Sequence, residues 1–396
     1  MRRRRRVLWP RVALVLGGAA VGLGLAEAVA RWILPEGGAD LLYGVQATPP
    51  GMYAPDPALM VVPVPGFQAT TRSLAGDVLV RLNQLGLRGP EADPPDGRAR
   101  WLVLGDSFAL SVQTPEERTF EALLAARIGA EVWNAGVDGY STWQETARYR
   151  QVDDALGSND VLLLYFLGND PTDNQWFPET IVHWSVGQFQ APPAPSGLGG
   201  WLSRRSFLYA QLSVLAERRA LAQDEARRGR WVRELSLYTH AGAGALAQVM
   251  PATAEALRQL RAEVERRGDR LVVALAPPAF EADPSRAPAT LAMVGLDPAD
   301  ADLDAPRRAV SELLQQLQIP ACDLVDPLTQ AVHEGRRPYL VFDGHWSPEG
   351  HQVVADALIS CLSAWSATGS ASGAARTRRT LQTREGDSSA LGASSI

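Results

Sequence analysis

The apolar positions of this chain fall into two patterns. From Val12 to Leu34 they run almost unbroken, interrupted only by Glu27 and Arg31. A helix of that length, rising about 1.5 Å per residue, crosses a hydrocarbon core of about 30 Å. Shorter apolar runs follow at Trp101 to Leu104, Glu131 to Trp133, Val161 to Leu167 and Leu271 to Ala276. They lack the polar alternation of half-exposed strands, so each reads as a parallel strand buried on both faces.

Helical signals lie between these runs. Thr114-Pro115-Glu116-Glu117 offers an N-cap, a first-turn proline and a capping-box glutamate ahead of Phe120, Leu123, Leu124 and Ile128. Thr142 to Glu145 repeats the capping box, and Leu257, Leu260 and Val264 lead to a stop at Gly268. Ser347 and Pro348 open a closing helix that carries Val353, Val354, Ala357, Leu358 and Leu362 at helical spacing. Strands alternating with helices predict an α/β chain, a three-layer α/β/α sandwich around a central parallel sheet.

The same patterns divide the chain. Residues 1–11 form a basic cytoplasmic N-terminus, 12–34 a transmembrane signal anchor, 36–98 a Pro- and Gly-rich lead-in subdomain, 99–365 the main domain and 366–396 a disordered tail. Short β-like pieces at Val61 to Val64 and Val78 to Leu82 belong to the lead-in. The main domain carries a helical insertion over about 172–250, with a Pro/Gly-rich stretch at Ala191 to Gly200 and an Arg-rich helical part at Leu215 to Leu235. That insertion reads equally as a lid, as an acceptor site or as a stabilising decoration.

Charge sets the expected topology. Arg2 to Arg6, with Arg11, place the N-terminus inside and a single-pass chain's remainder on the extracytoplasmic side of the cytoplasmic membrane. Glu27 lies in the outer half of the stretch, where a carboxylate costs less. The alternative is secretion after cleavage, with Val12 to Ala26 as the apolar core and Ala28-Val29-Ala30 as the cleavage site.

Composition removes several chemistries. The net charge is −6, which offers no footprint for nucleic acid. All 38 basic residues are arginine, so a Schiff-base lysine, a pyridoxal-phosphate site and a lysine-bearing phosphate loop are excluded. Cys322 and Cys361 make neither a zinc knuckle nor a disulfide framework. They are expected as buried free thiols, with a bridge as the alternative. No metal or organic cofactor is implied.

In open parallel sheets the ligand site lies at the carboxyl ends of the strands. There Trp101 to Leu104 delivers Gly105-Asp106-Ser107, Glu131 to Trp133 delivers Asn134 through Gly139, and Val161 to Leu167 delivers Gly168-Asn169-Asp170. Acyl transfer needs a nucleophile, a base, and donors aimed at the developing oxyanion. Ser107 fits the nucleophile, while the amides of Gly139 and Ser107 and the side chain of Asn169 fit the donors. In Phe342-Asp343-Gly344-His345-Trp346, His345 fits the base, and Asp343 fits the acid that orients it. Asp106 and Asp170 are expected to shape turns, and His351 to be structural. His183, His240 and His333 lack metal-ligand spacing. Trp143, Trp176, Phe177 and Trp184 could line a sugar or acyl site, although such residues more often fill cores.

These four blocks resemble those of the SGNH, or GDSL-type, hydrolase superfamily, over about Trp101 to Trp365. No Gly-x-Ser-x-Gly elbow of the α/β-hydrolase kind occurs. In many SGNH members two residues separate the last Asp and His, whereas here only Gly344 does. With Trp346 following, the block is similar to the Asp-x-His-Trp block of the alginate O-acetyltransferase-like branch. The resemblance implies Ser107 as nucleophile with His345 and Asp343, and Gly139 and Asn169 as oxyanion donors. It also implies a serine esterase acting on acyl, above all acetyl, esters of cell-envelope or exported glycans. An O-acyltransferase of an envelope polysaccharide is one alternative, and a non-catalytic glycan-binding envelope protein is the other. No protein partner is indicated.

Overall fold

The predicted buried strands assemble into one parallel sheet. The computed structural model describes residues 2–33, 48–72, 77–92, 94, 96–189, 197–203, 205–206, 208–209, 212, 216, 225–340, 344–363 and 365. Among them, two antiparallel pairs come first: β1 (Tyr53–Asp56) with β2 (Met60–Pro63), and β3 (Gln68–Arg72) with β4 (Asp77–Arg81). β2 and β4 overlap the β-like pieces expected at Val61 to Val64 and Val78 to Leu82, each shifted by one residue. Then follow β5 (Arg100–Gly105), β6 (Glu131–Asn134), β7 (Asp160–Phe166), β8 (Arg270–Ala276) and β9 (Ala321–Asp323), all parallel, in spatial order β6-β5-β7-β8-β9.

The helices, numbered here along the chain, are α1 (Arg2–Ile33), α2 (Ser107–Leu110), α3 (Phe120–Ile128), α4 (Thr142–Leu156), α5 (Asp170–Ile181) and α6 (Gly197–Ser203). After them come α7 (Glu225–Ser236), α8 (Ala243–Arg267), α9 (Ala287–Val294), α10 (Ala305–Gln316), α11 (Val325–His333) and α12 (348–363), with one further helical turn at Ala279–Ala282.

The absence of alternation in the strands has a direct cause, because both sheet faces are covered. Val103, Leu162, Leu164, Val272 and Ala274 pack against Phe120 and Leu124 of α3, Leu328 of α11 and Leu358 of α12. Their neighbours in sequence, Leu102, Leu104, Val161, Leu163 and Val273, pack against Tyr149 of α4, Leu257 and Leu260 of α8 and Val310 of α10. Each such buried aliphatic side chain stabilises the fold by about 1.5–3 kcal/mol relative to exposure. The three-layer α/β/α sandwich is therefore built as its sequence pattern predicts.

Local details differ. Pro115 takes an extended backbone with ψ 140, so Glu116–Arg118 forms only a short 3-10 turn. The cap of α3 is Thr119 instead of Thr114, its hydroxyl accepting from the amide of Ala122 at 3.5 Å. The box of α4 begins one residue earlier than expected, at Ser141, and is closed by Gln144. The stop at Gly268 falls as predicted. At α12 the Ser347 hydroxyl accepts from the amide of Gly350 at 3.1 Å, as an N-cap does. In the insertion, α7 falls within the predicted Arg-rich helical part and continues to Ser236, while 191–196 lie outside the described residues. So does the tail after residue 365.

The two cysteines are disulfide-bonded, which corrects the expectation of free thiols. Cys322 sits on the edge strand β9 and Cys361 on the last turns of α12, which packs across that edge with a Cα–Cα distance of 5.9 Å. The sequence separation of 39 corresponds to about 4 kcal/mol of loop-closure stabilisation. Cys322→Ser should lower the unfolding free energy of the detergent-solubilised protein by about 2–4 kcal/mol in urea titrations. An unchanged midpoint would mean that the packing of α12 alone fixes the edge.

Candidate active site

Two segments distant in sequence meet at the carboxyl end of β5. Asp106 caps α2, its Oδ1 accepting from the amide of Phe108 at 2.8 Å, and so turns Ser107 out of the strand onto the first position of the helix. His345 arrives from the loop before α12. Its backbone carbonyl accepts from the amide of Leu340 at 2.8 Å, and its ring lies 4.6 Å from that of Phe108. Phe108 in turn stacks on Phe166 at 3.9 Å. Gly344 has φ +81, a conformation that suits glycine at this turn.

The outcome is a hydrogen bond of 2.8 Å between His345 Nε2 and Ser107 Oγ, across 238 residues of sequence. A nucleophile–base pair has this geometry. The other ring nitrogen, Nδ1, lies 3.3 Å from the side-chain amide of Gln113. Gln113 is a buried residue in the loop after α2 that the sequence pattern did not single out. Its amide carries both a donor and an acceptor, so it can meet either tautomer of the ring. Asp343 lies outside the described residues.

The expected donors lie on the two neighbouring strand ends. Gly139 follows β6 in a loop fastened to the lead-in: the amide of Asp138 donates to the Tyr53 hydroxyl at 3.1 Å, and the Tyr140 hydroxyl donates to the carbonyl of Val61 at 2.6 Å. This loop packs close to α2, since a Cβ on Gly136 would sit 2.6 Å from the amide nitrogen of Leu110. Asn169 is the N-cap residue of α5, and its Nδ2 donates to Asp173 Oδ2 at 2.9 Å. Asp173 also lies 3.4 Å from a guanidinium nitrogen of Arg230 on α7. The insertion therefore reaches the residue that holds Asn169.

Beneath these residues lies a group of carboxyls. Burial raises Asp106 to about 6, against the pull of the Phe108 amide. Burial pushes Glu145 and Asp170 well above their ordinary values, and their proximity to Asp106 pushes them further. Burial also raises Asp173 to about 7, although Arg230 opposes it. The upward shift of Glu145 and Asp170 disfavours their ionisation and so opposes a build-up of negative charge behind Ser107. Asp170 shapes its turn as expected, accepting from the amide of Phe166 at 2.7 Å.

His351 is structural, as expected: buried, with Nδ1 accepting from the amide of Phe120 at 3.2 Å, and lowered by burial to about 3. Among the described residues no cluster of His, Cys, Asp and Glu could hold a metal ion. Trp143 and Trp184 direct their indole N–H groups to the carbonyls of Asn174 and Asp56, which ties them into the fold. Phe177 is buried and Trp176 is exposed on the same helix.

A carboxyl whose value is raised on folding favours the protonated folded state. Its stabilisation is complete below about pH 4 and is lost as pH rises through its folded value, here from 6 to 7 for Asp106 and Asp173. The melting temperature should fall between about pH 4 and pH 7. Asp173→Asn, which keeps an acceptor for Asn169, should flatten that slope, removing on the order of 4 kcal/mol of pH-dependent stability. An unaltered slope in the variant would show that Asp173 is ionised throughout the range.

Residues 233–393 match the family model of the SGNH hydrolase-like domain of the acetyltransferase AlgX. The match includes the His345 block and begins after Ser107, Gly139 and Asn169. No curated protein matches the chain. Among solved structures, a catalytic mutant of Axe2, an acetylxylan esterase from Geobacillus stearothermophilus, is 13% identical over 67% of this chain and 94% of that chain, with a TM-score of 0.36. TesA is 14% identical over 67% of this chain and 98% of its own, and a GDSL-family lipolytic protein from Desulfitobacterium hafniense is 13% identical over 66% and 99%, both with a TM-score of 0.36. Likeness at that score carries no argument about activity. What the comparisons give is a similarity, over residues 233–393, to the SGNH hydrolase-like domain of the acetyltransferase AlgX.

Proposed function

We propose that this protein is a serine-dependent acyl-ester enzyme acting on acetyl esters of cell-envelope or exported glycans. The 2.8 Å hydrogen bond between Ser107 Oγ and His345 Nε2 carries the reading. His345, oriented by Asp343, takes the proton of Ser107 as Oγ attacks the ester carbonyl carbon. The amides of Ser107 and Gly139 and the side chain of Asn169 stabilise the oxyanion. Collapse breaks the bond to the alcohol, which leaves with the proton held by His345, and the acyl group stays on Ser107. A second hydroxyl, activated by the same imidazole, then releases it. No cofactor takes part in these steps.

With water as the second hydroxyl the reaction is ester hydrolysis. With a sugar hydroxyl it is O-acetyl transfer, a reading favoured by the match of 233–393 to an acetyltransferase domain. The arginine run in the first turns of α1 supports an extracytoplasmic site held at the membrane, and the disulfide suits an oxidising compartment.

Ser107→Ala and His345→Ala should each lower turnover of p-nitrophenyl acetate by at least about 10³-fold. Asn169→Ala should lower kcat by about 10²-fold with little change in KM. Activity should rise between about pH 5 and pH 8 as the imidazole loses its proton. Adding an unacetylated polysaccharide separates the two outcomes, since a transferase yields acetylated glycan faster than free acetate. Turnover that survives in Ser107→Ala would refute the proposal.

A further inference from the structure

One carboxylate of the apolar helix has partners in the insertion. Arg11–Val29 of α1 is long and apolar enough to cross a membrane, with mean hydropathy 2.0. Glu27 lies within that stretch, about 24 Å along the helix from Arg11 and so close to the far edge of a hydrocarbon layer. Its Oε2 accepts from the hydroxyl of Ser206 at 2.9 Å and from the backbone amide of Leu208 at 3.0 Å. The Ser206 hydroxyl also accepts from the amide of Tyr209 at 3.1 Å. The segment just after α6 therefore wraps the one acidic group of the span.

That segment also carries apolar surface. Leu198 and Trp201, three residues apart on α6 and so on one face of it, are 72% and 49% exposed, and Leu212 is 55% exposed. Trp32, one turn beyond Glu27 on α1, is 84% exposed. The Arg205 guanidinium lies 5.6 Å over the Trp201 ring.

We infer that α6, with Arg205, Ser206, Leu208, Tyr209 and Leu212, lies in the membrane–water interface on the side of the main domain, with Leu198, Trp201 and Leu212 against lipid. The fitting partner is a bilayer, because the surface continues directly from a lipid-spanning helix. Tryptophan and arginine suit the headgroup level, the indole at the boundary and the guanidinium among lipid phosphates. Hydrogen bonds from Ser206 and Leu208 lower the cost of a carboxylate where water is scarce. The same insertion continues to α7, whose Arg230 pairs with Asp173 near Ser107, so this contact would fix the catalytic domain's orientation to the membrane. The inference rests on α1 being retained as an anchor.

Depth measurement on the full-length protein in phosphatidylcholine/phosphatidylglycerol vesicles tests it. Leu198→Cys, Val21→Cys and Glu312→Cys are each labelled with an environment-sensitive fluorophore and quenched by lipids spin-labelled near the headgroup or deep in the acyl chain. Cys322 and Cys361 are bonded to each other and take no label. The label at 198 should be quenched severalfold more by the shallow lipid than the label at the exposed helical position 312, and the label at 21 most by the deep lipid. Leu212→Cys should repeat the result at 198. Quenching at 21 with none at 198 or 212 would overturn the inference and leave the anchor standing. Absence of quenching at 21 as well would show that α1 is not in the bilayer, and the inference would fall with the anchor.

Discussion

Everything chemical in this molecule depends on one contact of 2.8 Å between Ser107 Oγ and His345 Nε2. A hydroxyl and an imidazole 238 residues apart do not meet by local propensity. The sheet supplies the fixed frame: β5 lies between β6 and β7, so the serine at its end has a loop on either side. The closing helix supplies the histidine, and its burial against the sheet through Leu358 and Val354 sets how far His345 reaches. The disulfide holds that helix to β9 at its other end.

Around this contact the fold spends polar groups in unusual places. Asp106, Glu145, Asp170 and Asp173 are buried near the serine, and burial drives all four upward. A cluster of ionised carboxylates there would oppose the negative charge of an acyl-transfer transition state. The upward shifts work against the cluster's charge by disfavouring ionisation, while Arg230 from the insertion opposes the shift of Asp173. The insertion thus joins the site by a charge, and the lead-in joins it through Tyr53 and Val61 at the Gly139 loop. Neither is a detached appendage.

Much of this was legible in the sequence because burial on both faces leaves a plain trace. The runs at Trp101, Val161 and Leu271 lose their alternation when helices cover each side, and they appear within one or two residues of the observed strands. Ser347-Pro348 marked the helix that delivers His345. What escaped reading was set by tertiary context. Strand β9 has three residues, too few for a pattern, and it exists because its neighbour β8 pairs with it. The caps fall at Thr119 and Ser141 instead of Thr114 and Thr142 because a threonine five residues or one residue away offers the same capping chemistry. Gln113 and Arg230 carry no local signal, since each matters only through a residue brought to it from elsewhere in the chain. The pairing of Cys322 with Cys361 likewise depends on where α12 crosses the sheet edge.

The most direct test of the account is to map the covalent intermediate. The wild-type protein, His345→Ala and Ser107→Ala would be mixed with p-nitrophenyl acetate, quenched in acid within seconds, digested and read by mass spectrometry. The account predicts a single acetyl group on the peptide containing Ser107 in the wild type, strongly diminished in His345→Ala and absent from Ser107→Ala. Acetyl transfer to another residue, or undiminished acetylation of Ser107 without His345, would contradict it.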